Sequence, residues 1–329
     1  MKDIAIADVR NFAIMGHTGS GKTTLTDALL YRLGVNDRLG SPAAGTSMSD
    51  HTDQEKAHNI SIFATTFSSF YKTASGRQVE LVFTDTPGYM DFFGGVIASA
   101  RAAETGVIVV DAASGVQVGT RRAWKCCTKR GLQARAIVIT GLDKDNTDYA
   151  KTLAEIQGSF GSNCVPVVMP LPDCSGVIDI LKAKDVPAEL EEEVMEAKGG
   201  LVELAAETDD TLIEKYLAGE PLSPDEIASG LVDAVASGGF VPIFVCMPLK
   251  EIGIDELLEG ASRFFASPMT VTHEDVEGNP IESAADAPFA GLVCRSLNDP
   301  FVGQLTFVRV FGGTLTSDTE VFNASRNVK

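Results

Sequence analysis

Positive charge is scarce in this sequence: 27 lysines and arginines face 45 aspartates and glutamates, a formal charge of −18. Contacts to a phosphate backbone need clustered cations, so binding of free nucleic acid by this chain is not expected. Long apolar runs are missing too. No stretch reaches the roughly twenty residues a membrane helix needs, and residues 1–10 lack the charged-then-apolar order of a secretory leader. The expectation is a soluble cytoplasmic monomer with no membrane partner. Of the six cysteines, Cys126 and Cys127 are adjacent and the others stand apart, with no C-x-x-C spacing. That pattern points to buried thiols rather than a disulfide framework or a zinc site. Histidine is limited to His17, His51, His58 and His273, which leaves few imidazoles for acid–base chemistry.

What is present is a run of glycines in a telling place. Gly16-His17-Thr18-Gly19-Ser20-Gly21-Lys22-Thr23 fits the phosphate-loop pattern G-x-x-x-x-G-K-[ST] in full. The apolar residues 12–15 suit a buried strand before it, and residues 24–33 read as a helix ended by Gly34. Glycines let the loop's N–H groups converge on phosphate oxygens at a helix N-terminus, Lys22 adds a point charge, and Thr23 offers a hydroxyl to Mg²⁺. Binding of a nucleoside triphosphate follows. His17 is expected to pack or meet solvent rather than take part in chemistry.

At 329 residues the chain has room for about two domains. Further strands are expected at 62–67, 79–84, 107–110 and 136–140, with helical segments between them, the pattern of an α/β sheet with many parallel strands. From about 187 the texture becomes helix after helix, and Ser223-Pro224-Asp225-Glu226 is a capping box opening a helix that ends near Gly238. Residues 185–226 hold fourteen acids against two lysines, a local −12. Such a run is ordinarily a solvated helical face; a docking surface for a basic partner is the alternative. The sheet pattern resumes at 241–246, a helix follows over 254–265, and Ser267-Pro268 breaks the chain. Residues 271–288 read as a linker. Strands are expected at 290–294, 304–311 and 319–323, with Gly312-Gly313 as the hairpin turn between the last two. Three strands do not close a barrel, so a piece of a longer protein is expected.

Asp85-Thr86-Pro87-Gly88 follows a strand where a phosphate-loop hydrolase places an aspartate that reaches Mg²⁺ through water and a glycine that senses the γ-phosphate. Asp143 follows the next strand but one, where a carboxylate can accept two hydrogen bonds from guanine. With residues 16–24, 50–62, 85–92, 115–117, 206–219 and 299–315, the sequence resembles elongation factor G and its paralogues over nearly its whole length. The resemblance implies an α/β phosphate-loop G domain over 1–270 with an acidic helical insertion at about 160–240, a linker at 271–288, and at 289–329 the first strands of a β-barrel domain. It implies GTP and GDP as substrate and product, Mg²⁺ as cofactor, and the ribosome as partner. Gly16 to Thr24, Asp85, Gly88, Thr140, Asp143 and Met247 would line the nucleotide, with Thr23, Asp85 through water and, in the GTP state, Ser61 at the metal.

Departures from that family concentrate in the site. The histidine that follows D-T-P-G is Tyr89, and a phenol is a poor proton acceptor beside an imidazole. Arg-Gly-Ile-Thr reads His58-Asn59-Ile60-Ser61, which keeps a hydroxyl. Gly19 replaces an aspartate. Asn-Lys-x-Asp reads Thr140-Gly141-Leu142-Asp143, without the lysine that covers the base or the asparagine that ties the loops. The later Ser-Ala aligns with Met247-Pro248, and proline has no N–H to give guanine, a loss of about 1–3 kcal/mol. The expectation is a GTPase with slow hydrolysis, with Gly88 and Tyr89 at the catalytic position and reduced base selectivity. The alternative is a nucleotide-dependent ribosome-binding or regulatory module with little turnover.

Overall fold

The computed structural model describes residues 4–183, 186–275, 277–299 and 302–328. Asp185, Pro300, Phe301 and Lys329, on which some of the expectations above fall, lie outside the described residues. The chain divides into two compact units at Ser267/Pro268.

The first unit runs β1 (Val9–Gly16), α1 (Lys22–Arg32), α2 (Asp53–His58), β2 (Thr65–Lys72), β3 (Gln78–Asp85), α3 (Phe93–Ala102), β4 (Thr105–Asp111), α4 (Val118–Lys129), β5 (Arg135–Thr140) and α5 (Tyr149–Phe160). It continues through β6 (Cys164–Pro166), β7 (Val168–Pro170), β8 (Val177–Asp179), α6 (Glu191–Ala206), α7 (Asp210–Leu217), α8 (Pro224–Ser237), β9 (Val241–Val245) and α9 (Ile254–Phe264). The strands form a seven-stranded sheet in the order β2-β3-β1-β4-β5-β9-β6, with only β2 antiparallel to its neighbour. β1, β4 and β9 are buried almost end to end because helices cover both faces of a parallel sheet. Helix α9 buries Ile254, Leu257, Leu258, Ala261 and Phe264 at helical spacing. Each such large side chain contributes roughly 1.5–3 kcal/mol.

Register decides where chemistry can gather. Ile14 pairs with Asp85, Gly16 with Val109, and Asp111 with Thr140. The phosphate loop, Asp85, Asp111 and Thr140 therefore all leave the sheet at one carboxyl-terminal edge, where open α/β sheets bind ligands.

Two expectations need correction. The strand expected at 62–67 starts later, at Thr65, because the N–H groups of Ile62 and Phe63 donate to Glu55 Oε1 instead of to a neighbouring strand. The stretch 160–240 is not helical throughout: β6 extends the main sheet beside β9, β7 and β8 pair with each other, and helices begin at Glu191. Ser223 and Glu226 do form the capping box of α8, which ends on the left-handed Gly238.

In the second unit, β10 (His273–Glu274) pairs with β11 (Pro280–Ile281), and β12 (Ala290–Asp299) with β13 (Gly303–Gly312). Among the described residues no strand follows β13, so the hairpin turn expected at Gly312-Gly313 does not form. The glycine pair has another cause. A Cβ on Gly313 would stand 2.6 Å from Ala287 O and 2.7 Å from Phe289 Cα, and its φ is +71°. Residues 319–323 form no strand; among the described residues only an isolated bridge joins Asn323 to Val328.

Candidate functional site

Gly21, at φ +84°, caps α1 in the left-handed conformation that glycine adopts without a steric cost. The turn aims the first N–H groups of α1, which have no intrahelical acceptor, into a cleft of about 330 Å³. Thr18, Gly19, Gly21, Lys22, Thr23 and Thr24 line it from the phosphate loop; Asp50, Asn59, Ile60 and Ser61 line it from the segment around α2; Gly88 and Tyr89 complete it.

Lys22 is 5% exposed and donates to the carbonyl of His17 at 2.6 Å. Burial pulls its ammonium down to about 8, against the opposing pull of Asp85 and Asp50. Asp85, 1% exposed, is pushed up to about 7 by burial, although Ser49 Oγ donates to its Oδ2 at 2.6 Å and Lys22 is close by. Asp50 is raised as well, first by burial, with Ser61 opposing. Thr23 Oγ1 and Ser61 Oγ, 38 residues apart in sequence, lie 3.0 Å from each other. A Cβ on Gly88 would meet Lys22 Nζ at 2.7 Å, so the Asp85–Gly88 turn approaches the lysine as closely as a glycine allows.

Three buried oxygens here, Asp85 Oδ1, Asp50 Oδ1 and Ser20 Oγ, have no hydrogen-bond partner. Native interiors rarely leave such atoms unpaired. Two carboxylates and two hydroxyls are the hard oxygen donors that suit Mg²⁺, which is ordinarily held by one or two carboxylates together with phosphate oxygens and water. The residues present fit a metal–phosphate group.

Glu55 organises the facing segment. It is fully buried; Oε2 accepts from the N–H and hydroxyl of Thr52 at 3.1 and 2.7 Å, and Oε1 from the N–H groups of Ile62 and Phe63, both at 3.1 Å. Burial alone would raise its carboxyl, but these bonds outweigh it and the net shift is downward. Ser61 is thereby fixed one residue from an anchored backbone. Sequence reasoning assigns no role to Asp50, Ser49 or Glu55. Thr52-x-x-Glu55 is a legible capping box, and it is the signal that could have found the last of them.

On the base side, the Thr140 hydroxyl donates to the carbonyl of Ser20 at 2.8 Å. The tie between β5 and the phosphate loop, expected lost with the family's asparagine, is therefore kept by a shorter side chain. Asp143 is exposed beyond β5. Met247 is not presented to a ligand: its side chain lies in the hydrophobic core, and its N–H donates to Ile252 O at 2.9 Å. Tyr89 is 41% exposed at the cleft wall. His17 lies outside the cleft lining, against α4, where a Cβ on Gly119 would meet its Nδ1 at 2.6 Å; burial, then Lys22, lowers its pKa.

Among the described residues no helix is long and apolar enough to cross a membrane.

The model of the elongation factor Tu GTP binding domain matches residues 7–267. A crystal structure of a protein from Thermus thermophilus superposes with a TM-score of 0.82 at 32% identity, covering 93% of this chain and 46% of the other. The chain thus spans about half the length of that relative. By the family model and by its phosphate-loop fold, the chain belongs to the GTPase family of the translation elongation factors.

Proposed function

We propose that this chain binds GTP and GDP with Mg²⁺ and hydrolyses GTP slowly, in partnership with the ribosome. The observation that carries the reading is the convergence of Lys22, Thr23, Ser61 and Asp85, from three separate segments, on one buried cluster beside the phosphate loop. Lys22 and the first N–H groups of α1 would hold the β- and γ-phosphates, and their fixed positive charge stabilises the charge that builds on the departing phosphoryl group. Thr23 and Ser61 would hold Mg²⁺ directly and Asp85 through water; the ion, when bound, neutralises phosphate charge. Gly88 would offer its N–H to the γ-phosphate. Asp143 would accept from guanine, which adenine cannot match at the same edge. The attacking water lacks an imidazole at the position of Tyr89, so positioning and charge supply most of the acceleration.

Tyr89 also favours a second reading: a module that binds ribosomes in a nucleotide-dependent way and turns over little. Multiple-turnover GTP hydrolysis with and without ribosomes separates the two. Stimulated phosphate release is expected. If ribosome binding requires GTP while release stays at the unstimulated rate, the second reading replaces the first.

A further inference from the structure

Beyond β5 the space of a missing side chain is filled by two others. A Cβ on Gly141 would stand 2.2 Å from Asp111 Oδ1 and 3.2 Å from both Cε and Nζ of Lys144. Lys144 Nζ donates to Asp111 Oδ1 at 2.5 Å, and the other carboxylate oxygen accepts from Ser114 Oγ at 2.9 Å. The two partners differ in exposure. The Asp111 side chain is 7% exposed, whereas that of Lys144 is 54% exposed. One end of the lysine is fixed in the sheet edge and its stem remains open. The pair also sits close to the phosphate loop: Asp111 is in register with Thr140, whose hydroxyl is bonded to Ser20 O and would lie 3.4 Å from a Cβ on Gly21.

We propose that Lys144, anchored by Asp111, covers one face of a bound purine base. The inference rests on the nucleotide-site reading above. An aliphatic stem lies well against a planar ring, and a cation near the ring face adds electrostatic attraction. The anchor matters because a free lysine would give up rotamer freedom on binding, and one already tied to Asp111 gives up less. Threading Lys144 over a glycine is compatible with this, since any side chain at 141 would collide with the carboxylate that holds it.

The test is equilibrium binding of GDP, ADP and inorganic pyrophosphate to the protein and to Lys144→Ala, Lys144→Arg, Asp111→Asn and the Lys144→Ala/Asp111→Asn double variant. Lys144→Ala should weaken GDP by about threefold to thirtyfold and leave pyrophosphate competition unchanged. Lys144→Arg should recover most of the loss. The double variant should bind GDP no worse than Lys144→Ala alone, because the anchor acts only through the lysine. Equal losses for GDP and ADP support the cover and remove the guanine preference assigned to Asp143. GDP affinity of Lys144→Ala within twofold of the parent, with an unchanged unfolding midpoint, overturns the proposal and leaves the phosphate-side reading standing. A parent protein that binds no GDP overturns both.

Discussion

Beside the phosphate loop Lys22, Asp50 and Asp85 are 5%, 5% and 1% exposed; beyond β5 Asp143 is exposed and the Lys144 side chain is 54% exposed. In the proposed function the two groups serve one ligand, and they stand under different physical constraints. Buried charges depend on one another, since removing one leaves its partners uncompensated at a cost of about 3–5 kcal/mol. Exposed groups carry no such obligation. By the resemblance, the phosphate half keeps its glycine-lysine-threonine pattern, a hydroxyl at Ser61 and the carboxylate of Asp85, with changes at Gly19 and Tyr89, while the base half lacks a lysine, an asparagine and a backbone donor.

The contrast is broken most directly by Lys22→Ala. It should weaken GDP by at least about a hundredfold, read by titration with a fluorescent GDP analogue. A loss no larger than that of a base-side variant would erase the distinction. The pH response probes the same burial. Asp85 rises to about 7 in the folded state, so the fold binds more protons than the unfolded chain between about pH 4 and 7, and stability falls as pH rises through that window. Lys22 falls to about 8, so the fold binds fewer protons above that, and stability recovers as pH rises further. Nucleotide-free, metal-free protein should therefore show a minimum in its denaturant midpoint near pH 7–8, and Asp85→Asn should flatten the acid limb. A midpoint rising steadily from pH 5 to 7, with no change in Asp85→Asn, would contradict the burial argument.

Tyr89→His addresses the cleft wall. Phosphate release should rise about tenfold to a hundredfold, with GDP affinity unchanged; no rise would mean that water is positioned by another group. Thr140→Val gives the smallest effect. Loss of its bond to Ser20 O should cost about 1 kcal/mol, or roughly fivefold in GDP affinity, and Thr140→Ser should restore it.

What could be read from the sequence follows the same divide. The phosphate loop was legible because its pattern, strand and helix are contiguous, and the capping box of α8 because it spans four residues. Thr140 as a tie was not legible, since it depends on β5 lying beside the loop in the fold. The start of β2 was displaced because Glu55 competes with the sheet for two N–H groups, and apolar periodicity does not record that competition. Gly312-Gly313 looks like a turn from composition, yet close approach of residues 287–289 is what requires it.

Glu55 gives the segment facing the phosphate loop a mechanical character. Because one carboxylate grips Thr52 at one end and Ile62 and Phe63 at the other, residues 59–61 form a short latched arc rather than a free tether. Closing an arc already held at both ends costs little chain entropy. The latch is made entirely within residues 52–63 and uses no group of the phosphate loop. A signal carried by the strip would have to unlatch the carboxylate first, which makes Glu55 the threshold of any such switch.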